Sequence, residues 1–297
     1  MERCSFFIPD KALFGSFPTQ TEVCFLESIG VRYFVDLTLE NEPKTVPYIT
    51  RFKYLKHPIT DRQIPKNWND FSVFIVGLSH IISSLKEKDK IYIHCRGGHG
   101  RSGIVVASVL CYLNDMSPED ALMYTSECYS KRPNIKEKYL KHGSPQHNFQ
   151  KNFVRKFFKY LKFNRKSDIG FTNDFSLYSK FNIITELGVF DTAISAFKAY
   201  CKLDPNISDE RKVELMFRIL LLKFQQNESL KEKLLMTGLR PLINVSFNIF
   251  WGTNNNQQGL NHVGRILEKI RDDYLYSIFL NSGANTGLSK CECLNAT

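Results

Sequence analysis

The segment HCRGGHGRSG, residues 94–103, holds the residue types with the most evident chemistry in the sequence. Cys95 follows a short apolar run, and five residues separate it from Arg101. A loop that joins a strand to a helix directs backbone N–H groups and a helix N-terminus at one point, and such a point binds a phosphate dianion. The same dipoles favour the thiolate form of Cys95, which is the nucleophilic form. The segment therefore predicts a phosphate-binding loop with a cysteine nucleophile.

The other residues of this segment have predicted parts in the same chemistry. The forked guanidinium of Arg101 can hold two phosphate oxygens, in the substrate and more strongly in the transition state. Ser102 can donate a hydrogen bond to the sulfur while a phosphoenzyme is hydrolysed, and His94 can order the loop from behind. Glycines allow the loop to curl without Cβ clashes, and they are Gly97, Gly98 and Gly100.

Arg96 and His99 place further basic side chains at the rim of the predicted pocket. One interpretation is that they attract a polyanionic substrate, such as a phosphoinositide, an inositol phosphate or an RNA 5′ phosphate. The alternative is that they make hydrogen bonds that stabilise the loop. The sequence leaves both interpretations open.

A general acid is expected upstream of the loop, because the leaving oxygen of a phosphoryl transfer needs a proton. Asp61 lies between prolines in HPITDRQIP, residues 57–65, and is the predicted acid. Asp70 is the nearest rival, but it falls at a predicted helix start, where an aspartate is better interpreted as a capping residue. Asp36, in VDLT, fits an early strand and is predicted to be structural.

Residues 94–103 resemble the H-C-x5-R-S/T signature of the cysteine-dependent dual-specificity and protein-tyrosine phosphatase family. The segment with Asp61 is similar to the general-acid loop of that family. SPQHNFQ, residues 144–150, resembles the element in which a glutamine orients the hydrolytic water, a role open to Gln146 or Gln150. The resemblance implies an α/β phosphatase domain with a mostly parallel central sheet flanked by helices.

The same resemblance implies hydrolysis of phosphomonoesters through a cysteinyl-phosphate intermediate, with no metal or other cofactor. Phosphoproteins carrying phosphotyrosine and phosphoserine or phosphothreonine are the leading substrates. The alternatives are a phosphoinositide phosphatase or an RNA 5′-phosphatase on the same scaffold. A phosphate-binding pseudophosphatase is a further alternative, against which the presence of Cys95, Arg101 and Asp61 argues.

The elements that must position these residues alternate between apolar runs and helical patterns. Buried strands are predicted at 31–37 and 90–94, and helices at 71–85, 104–113 and 118–129. This alternation is typical of a parallel sheet covered by helices. The polar segment NRKSDIGFTND predicts a linker. The predicted organisation is a phosphatase domain at 1–165, a linker at 166–174, a second domain at 175–280 and a flexible tail at 281–297.

Helical patterns dominate downstream of the linker, at 211–225, 230–236 and 263–275. This half resembles the NADAR superfamily, the NAD/ADP-ribose-associated domains that include N-glycosidases. The resemblance rests on MFRILLLKFQQNESLKEKLLMTG (216–238), FDTAISAFKAYC (190–201), FWG (250–252), GLN (259–261) and VGRILEKIRDD (263–273). It implies a mainly α-helical NADAR-like domain with a nucleotide or ADP-ribose-like ligand.

Two carboxylates of that family are replaced in this chain. Ile194 stands where the family places a glutamate after Thr-Val, and Asn248 stands where it often has an aspartate. A carboxylate can stabilise an oxocarbenium-like transition state or activate water, and neither replacement can do so. We therefore expect a degenerate domain that binds its ligand without cleaving it. Retained glycosidase function is the alternative.

The composition of the chain bears on its cellular location and shows one strongly basic segment. The 297 residues carry a formal net charge of +10, and residues 145–167 contain seven Lys or Arg and no Asp or Glu. The segment also carries an apolar helical face, which favours packing on its own domain over a nucleic-acid or membrane surface. The residues of that face are Phe149, Phe153, Phe157 and Leu161. Scattered cysteines fit reduced thiols, and no apolar run approaches the roughly 20 residues of a membrane span. A cytoplasmic location is expected, which is the host cytoplasm if the source is a virus.

Overall fold

The computed structural model describes residues 2–133, 135, 137–164 and 170–282. The described residues fall into two compact units. Unit 1 contains the chain up to Phe158 and again from Tyr276, and unit 2 runs from Lys159 to Leu275. The chain thus passes between units upstream of the linker predicted at 166–174. Part of that linker, and the predicted tail beyond Ser282, lie outside the described residues.

Unit 1 is an α/β domain. Its sheet has the order β1-β2-β5-β3-β4, and every neighbouring pair is parallel except β1 with β2. The prediction of a mostly parallel sheet flanked by helices is confirmed. The elements are β1 Cys4–Ile8, β2 Ala12–Ser16, α1 Gln20–Ser28, β3 Val31–Asp36, β4 Lys53–Lys56, α2 Trp68–Ser84, β5 Lys90–Cys95, α3 Arg101–Leu113, α4 Pro118–Ser130, α5 Glu137–Leu140 and α6 Asn148–Phe157.

The central strand β5 places the site. Its run of apolar residues is buried on both faces, as expected for a strand with parallel neighbours on each side. In the sheet, Ser16 pairs with Cys95 and Asp36 pairs with His94, so β2, β3 and β5 end at the same edge. The loops that follow β3, β4 and β5 therefore share the carboxyl edge of the sheet, where open α/β sheets bind ligands.

Helix α6 covers one face of the unit with its aromatic residues. Phe153 and Phe157 are buried and pack edge-on against Trp68 of α2. The prediction of a four-residue apolar face is wrong at its two ends. Phe149 is 45% exposed, and Leu161 belongs to a strand of unit 2, because the helix ends at Phe157.

Unit 2 is mainly α-helical, as predicted. Its core lies on one face of the helix α8, where Met216, Ile219 and Leu220 are buried at helical spacing. The elements are β6 Leu161–Phe163, a 3₁₀ helix Gly170–Phe175, β7 Ile183–Thr185, β8 Gly188–Phe190, α7 Ala193–Leu203, α8 Asp209–Gln225, α9 Glu228–Leu235, β9 Leu242–Asn244 and α10 His262–Asn281, whose residues from Tyr276 belong to unit 1. Strand β6 pairs with β9, and β7 pairs with β8. Across the described ranges, none of these helices is both long and apolar enough to cross a membrane.

Candidate active site

The loop between β5 and α3 curls around the sulfur of Cys95. The Cys95 side chain is buried, and its Sγ accepts a hydrogen bond from the backbone N–H of Gly98 at 3.3 Å. The Oγ of Ser102 lies 3.5 Å from the same sulfur. Gly98 has φ = 73°, and a Cβ at this position would overlap the backbone of β2, so only glycine fits.

Arg101, the first residue of α3, is almost completely buried beside this loop. Its Nη1 and Nη2 donate to the two carboxylate oxygens of Glu42 at 2.6 and 2.7 Å. Nη2 also donates to Asp61 Oδ1 at 2.9 Å. Burial raises the pKa of Glu42, but the hydrogen bonds and charge of Arg101 outweigh burial and lower that pKa overall. The pair is therefore ionised at neutral pH.

Asp61 joins the two arginines of the loop. Besides Arg101, it accepts a hydrogen bond from Arg96 Nη2 on Oδ2 at 2.7 Å, and its side chain is about one-third exposed. The rival Asp70 lies in the first turn of α2, where its backbone N–H donates to the capping Asn67. The structure thus brings Asp61 into the site. The interpretation of Asp70 as the capping residue is wrong, because Asn67 is the N-cap and Asp70 lies in the turn that it caps.

A cavity of about 470 Å³ lies at the loop. Cys95, Asp61 and Gln146 line it. The rest of its lining includes arginine side chains together with aromatic and apolar ones: Arg3, Arg62, Arg96, Arg101, Arg132, Tyr129, Ile135 and Tyr139. The cavity therefore offers positive charge around the nucleophile and an apolar wall beside it.

His94 lies behind the loop and is completely buried. Its Nε2 is 2.7 Å from the hydroxyl of Tyr48, and burial lowers the pKa of His94 to about 4. The neighbouring Asp36 is also buried and accepts hydrogen bonds from Tyr54 and Lys56. Both side chains brace the ends of β3 and β5, at the edge of the sheet that carries the loop.

Arg96 and His99 both form hydrogen bonds within the site. The Nδ1 of His99 donates to the carbonyl of Gly97 at 2.9 Å, since a carbonyl oxygen only accepts. Burial lowers the pKa of His99, so the ring is neutral at neutral pH. Arg96 forms an ion pair with Asp61. Of the two, only Arg96 contributes a positive charge to the cavity.

The two candidate glutamines have different surroundings. Gln146 lines the cavity. Gln150 is fully buried, accepts the His147 N–H at 3.2 Å and donates to the carbonyl of Gln63 in the loop of Asp61 at 3.2 Å. Gln146 is therefore placed to meet a water in the cavity, and Gln150 supports the loop that carries Asp61.

Sequence patterns did not indicate two charged residues of the site. Glu42 lies in the polar run LENEPK, where only its burial beside Arg101 distinguishes it. Arg132 follows α4 and is buried at the cavity, with a hydrogen bond from its Nη1 to the Gly98 carbonyl. Over the described part of the chain, no group of three or more His, Cys, Asp or Glu side chains is arranged to hold a metal ion.

In unit 2 the two positions where the family has carboxylates, Ile194 and Asn248, serve the packing and the local backbone structure. Ile194 lies in the first turn of α7 and packs against the core of the unit. The side-chain oxygen of Asn248 accepts the N–H groups of Phe250 and Trp251 at 3.0 and 3.2 Å. Asn248 therefore closes a local turn through its own side chain.

Two family matches together cover residues 1–274. Residues 1–154 match the family described as Swiss Army Knife protein, DSP-PTPase phosphatase domain. Residues 123–274 match the NADAR domain. The two matches overlap at 123–154, which lie in unit 1.

Relatives share one or both halves. A candidate tyrosine phosphatase of Invertebrate iridescent virus 6, named 197R, is 39% identical over 285 residues, covering 91% of this chain and 95% of that protein. One of Invertebrate iridescent virus 3, named 067L, is 39% identical over 159 residues, covering 53% and 66%. An N-glycosidase of Nostoc punctiforme is 36% identical over 63 residues, covering 21% and 40%. The crystal structure of Tk-PTP in its active form is 24% identical, covers 52% of this chain and 94% of its own, and gives a TM-score of 0.40.

Proposed function

Because the chain belongs to the dual-specificity-type phosphatase family in its N-terminal half and to the NADAR family in its C-terminal half, we propose that Cys95, Arg101 and Asp61 carry its phosphatase reaction. The chain is a cysteine-based phosphatase of the protein-tyrosine/dual-specificity type, and its substrates are phosphorylated molecules. The observation that carries the assignment of residues is the Gly98 N–H bonded to the Cys95 sulfur, in a loop that ends at Arg101, the first residue of α3.

In the first step the thiolate of Cys95 attacks the phosphorus in line. A P–S bond forms while the P–O bond to the leaving group breaks, and Asp61 donates its proton to the leaving oxygen. Loop N–H groups and Arg101 stabilise the equatorial oxygens, where negative charge is concentrated in the transition state. Ser102 stabilises the sulfur when it later leaves as thiolate.

Substrate binding frees Asp61 for this role. In the structure Asp61 accepts hydrogen bonds from Arg96 and Arg101. A phosphate dianion accepts from the same Nη2 of Arg101 and so replaces Asp61 as its partner. Glu42 stays bonded to Arg101 and keeps the guanidinium in orientation.

In the second step water hydrolyses the cysteinyl phosphate. Asp61, now ionised, accepts the proton of the attacking water, the P–S bond breaks, and the thiolate of Cys95 is restored. Gln146 lines the cavity and orients this water. The products are inorganic phosphate and the dephosphorylated alcohol or phenol.

Phosphoproteins are the substrates that we propose first. The wall formed by Tyr129, Ile135 and Tyr139 supports this, because a phenyl ring or a peptide side chain can pack on it. A phosphoinositide or an RNA 5′ phosphate is the second candidate. It is favoured by Arg62, an exposed side chain that lines the cavity, together with the buried Arg132.

Phosphate release from a substrate panel tests both candidates. The full chain and its Cys95→Ser variant are compared on para-nitrophenyl phosphate, phosphotyrosine and phosphothreonine peptides, phosphoinositides and 5′-triphosphorylated RNA. We expect turnover by the wild type and none by Cys95→Ser, with the highest kcat/KM on a phosphopeptide. A higher kcat/KM on a phosphoinositide or RNA would select the second candidate. Equal turnover by Cys95→Ser would overturn the assigned nucleophile.

For unit 2 we propose binding of a nucleotide-related ligand without cleavage. Ile194 packs on the core and Asn248 closes a turn, so neither position offers a carboxylate for N-glycoside chemistry. The full chain with Cys95→Ser, incubated with an ADP-ribosylated guanine nucleotide, should release no free ADP-ribose while calorimetry detects binding of ADP-ribose. Catalytic release of ADP-ribose would contradict the proposal.

We also propose that the chain acts in the cytoplasm of an infected cell. Relatives from two iridescent viruses support this location. Fluorescence microscopy of the tagged chain expressed in insect cells would place it, and an exclusively nuclear or membrane signal would contradict it.

A further inference from the structure

Every carbonyl group of the loop from Arg96 to Gly100 accepts a hydrogen bond from a donor outside the loop or from the loop's own side chain. The donors differ in kind, since they are two backbone N–H groups, an imidazole, a guanidinium and a hydroxyl. In order along the chain the bonds are Phe17 N to Arg96 O (3.2 Å), His99 Nδ1 to Gly97 O (2.9 Å), Arg132 Nη1 to Gly98 O (2.8 Å), Ser144 Oγ to His99 O (2.8 Å) and Ile104 N to Gly100 O (3.1 Å).

This pattern fixes the direction of the N–H groups. In a planar trans peptide the C=O and the following N–H point in opposite directions. A carbonyl held on the outer side of the curl therefore turns the next N–H to the inner side. The peptide between Gly97 and Gly98 shows the relation directly: its carbonyl is bonded to the ring of His99, and its N–H is bonded to the Cys95 sulfur. The same reasoning directs the N–H groups of His99 and Gly100 inward.

Arg132 is unusual among these donors. It is 5% exposed, and within the described residues it donates to three neutral acceptors, the carbonyls of Gly98 and Phe14 and the hydroxyl of Ser5. Its guanidinium also lies over the rings of Phe14 and Tyr129, 4.3 and 4.9 Å from their centres. Burying a charge without a carboxylate partner is costly, so the position is better explained by a role at the loop than by stability alone.

Ser144 reaches the loop from the opposite flank. Its side chain is fully buried, and a Cβ on Gly103 of α3 would overlap its Oγ, so glycine at 103 keeps the hydroxyl in place. The Ser144 hydroxyl donates to the carbonyl that precedes Gly100, the residue before Arg101. Arg132 and Ser144 thus hold two adjacent peptides of the loop, on either side of His99.

We infer that Arg132 and Ser144 are positioning residues of the phosphatase reaction, which orient the N–H groups of His99 and Gly100 toward the phosphoryl oxygens. The inference rests on the proposed function, since it assigns those N–H groups to a bound oxyanion. Neither residue needs to touch the phosphate. Each acts through the peptide whose carbonyl it holds.

The experiment compares Arg132→Met, Ser144→Ala and a control, Ser5→Ala, in the full chain. Ser5→Ala removes one hydrogen bond of Arg132 but leaves the bond to Gly98 intact. Three quantities are measured for each: kcat and KM for para-nitrophenyl phosphate, the Kd of inorganic tungstate by calorimetry, and the thermal midpoint of unfolding. Assays are run well below the lowest thermal midpoint, so that every variant is folded.

We expect kcat of Arg132→Met to fall about 30-fold to 100-fold, because a misdirected donor loses much of the effect of an oxyanion-hole N–H. The kcat of Ser144→Ala should fall less, about tenfold, because the serine side chain is neutral and shorter than that of arginine. The Kd of tungstate should rise more in Arg132→Met than in Ser144→Ala. In both variants KM should change less than kcat. Ser5→Ala should stay within about twofold of the wild type in kcat and Kd.

A purely structural role would give lower thermal midpoints with kcat and tungstate Kd at wild-type values, and that result would overturn the inference. If Arg132→Met does not fold, Ser144→Ala decides by the same criteria. A wild type that neither hydrolyses para-nitrophenyl phosphate nor binds tungstate would instead contradict the proposed function. Wild-type activity together with unchanged variants would contradict the inference alone.

Discussion

The loop after β5 in unit 1 and the loop between β9 and α10 in unit 2 both contain glycine and polar residues, yet they use their hydrogen-bonding groups differently. In unit 1 the carbonyls of residues 96–100 are bonded on the outer side. In unit 2 amide side chains bond to the loop's own backbone. Asn248 accepts two N–H groups, and Asn244 donates to the Trp251 carbonyl at 3.1 Å.

We propose that the first loop binds an anion, whereas the second loop uses its side chains to hold its own shape. Arg96, Arg101 and Asp61 meet at the first loop as charged groups. The second loop has an amide at Asn248, where its family often has a carboxylate, and the amide is used in a turn. Loss of the Asp61 carboxylate should therefore remove the proton donor of unit 1, just as the amide at Asn248 leaves unit 2 without a carboxylate for N-glycoside chemistry.

The variant Asp61→Asn replaces an aspartate of unit 1 by asparagine, the same exchange by which Asn248 of unit 2 differs from its family. Without a proton donor, we expect kcat on a phosphothreonine peptide to fall about 10²-fold to 10³-fold. The loss should be smaller on para-nitrophenyl phosphate, whose leaving group needs little protonation. Steady-state kinetics on the two substrates measures this.

The matched control is Asp70→Asn, at the carboxylate that lies in the capped first turn of α2. Its kcat should stay within about twofold of the wild type. Equal losses at both positions would remove the distinction between Asp61 and a surface aspartate, and would put the general acid elsewhere.

Gly98→Ala and Gly188→Ala compare the two units by stability. Both glycines have positive φ, 73° and 122°. A Cβ at Gly98 would overlap the backbone of β2, whereas a Cβ at Gly188 meets no atom within 4 Å. We expect Gly98→Ala to lower the free energy of unfolding of unit 1 by about 3 kcal/mol or more, and Gly188→Ala to lower that of unit 2 by about 1 kcal/mol.

Tryptophan fluorescence separates the units in that measurement. The chain has two tryptophans, of which Trp68 lies in unit 1 and Trp251 in unit 2. Denaturant unfolding of each glycine variant in a Trp251→Phe background reports unit 1, and in a Trp68→Phe background reports unit 2. Equal destabilisation by the two alanines would show that the loop of Gly98 is not tightly packed on β2.

His94 gives unit 1 a pH-dependent stability. Burial lowers its pKa from 6.5 to about 4, so between these values the unfolded chain binds a proton that the folded chain does not. The free energy of unfolding therefore rises with pH from about pH 4 to pH 6.5 and is constant above, with up to about 3 kcal/mol from this residue. In the same window His57, with a pKa of about 4, contributes in the same direction.

His94→Gln should reduce that slope, measured by denaturant unfolding across the window in the Trp251→Phe background. The comparison in unit 2 is His262→Gln. Burial lowers the pKa of His262 too, but the side chain is partly exposed, so a smaller change of slope is expected. An unchanged slope in His94→Gln would mean that His94 is protonated in the folded state.

The sequence predicted the parts of the site that are contiguous in the chain. Cys95, Ser102 and Arg101 come together because one strand, one loop and one helix follow each other, and such a junction has the same geometry in any chain that forms it. Glu42 and Arg132 lie far from the loop in sequence, in polar runs that look like ordinary surface. Only the packing of the sheet brings them to Arg101 and Gly98.

The same limit applies to the fold. The buried strands β3 and β5 have long apolar runs and were predictable. The strands β1, β2 and β4 were not indicated, because they are short, β4 has a lysine at each end, and Pro9 follows β1 directly. Their pairing is decided by contacts between distant segments, such as Ser16 with Cys95.

The central claim is that Cys95 is the nucleophile, and trapping of the phosphoenzyme tests it most directly. The full chain is mixed with para-nitrophenyl phosphate, quenched in denaturant within milliseconds, digested and analysed by mass spectrometry. We predict one phosphate on the peptide that contains Cys95, at the cysteine itself, and none in Cys95→Ser. Phosphate on another residue, or turnover by the wild type with no phosphorylated peptide, would contradict the claim.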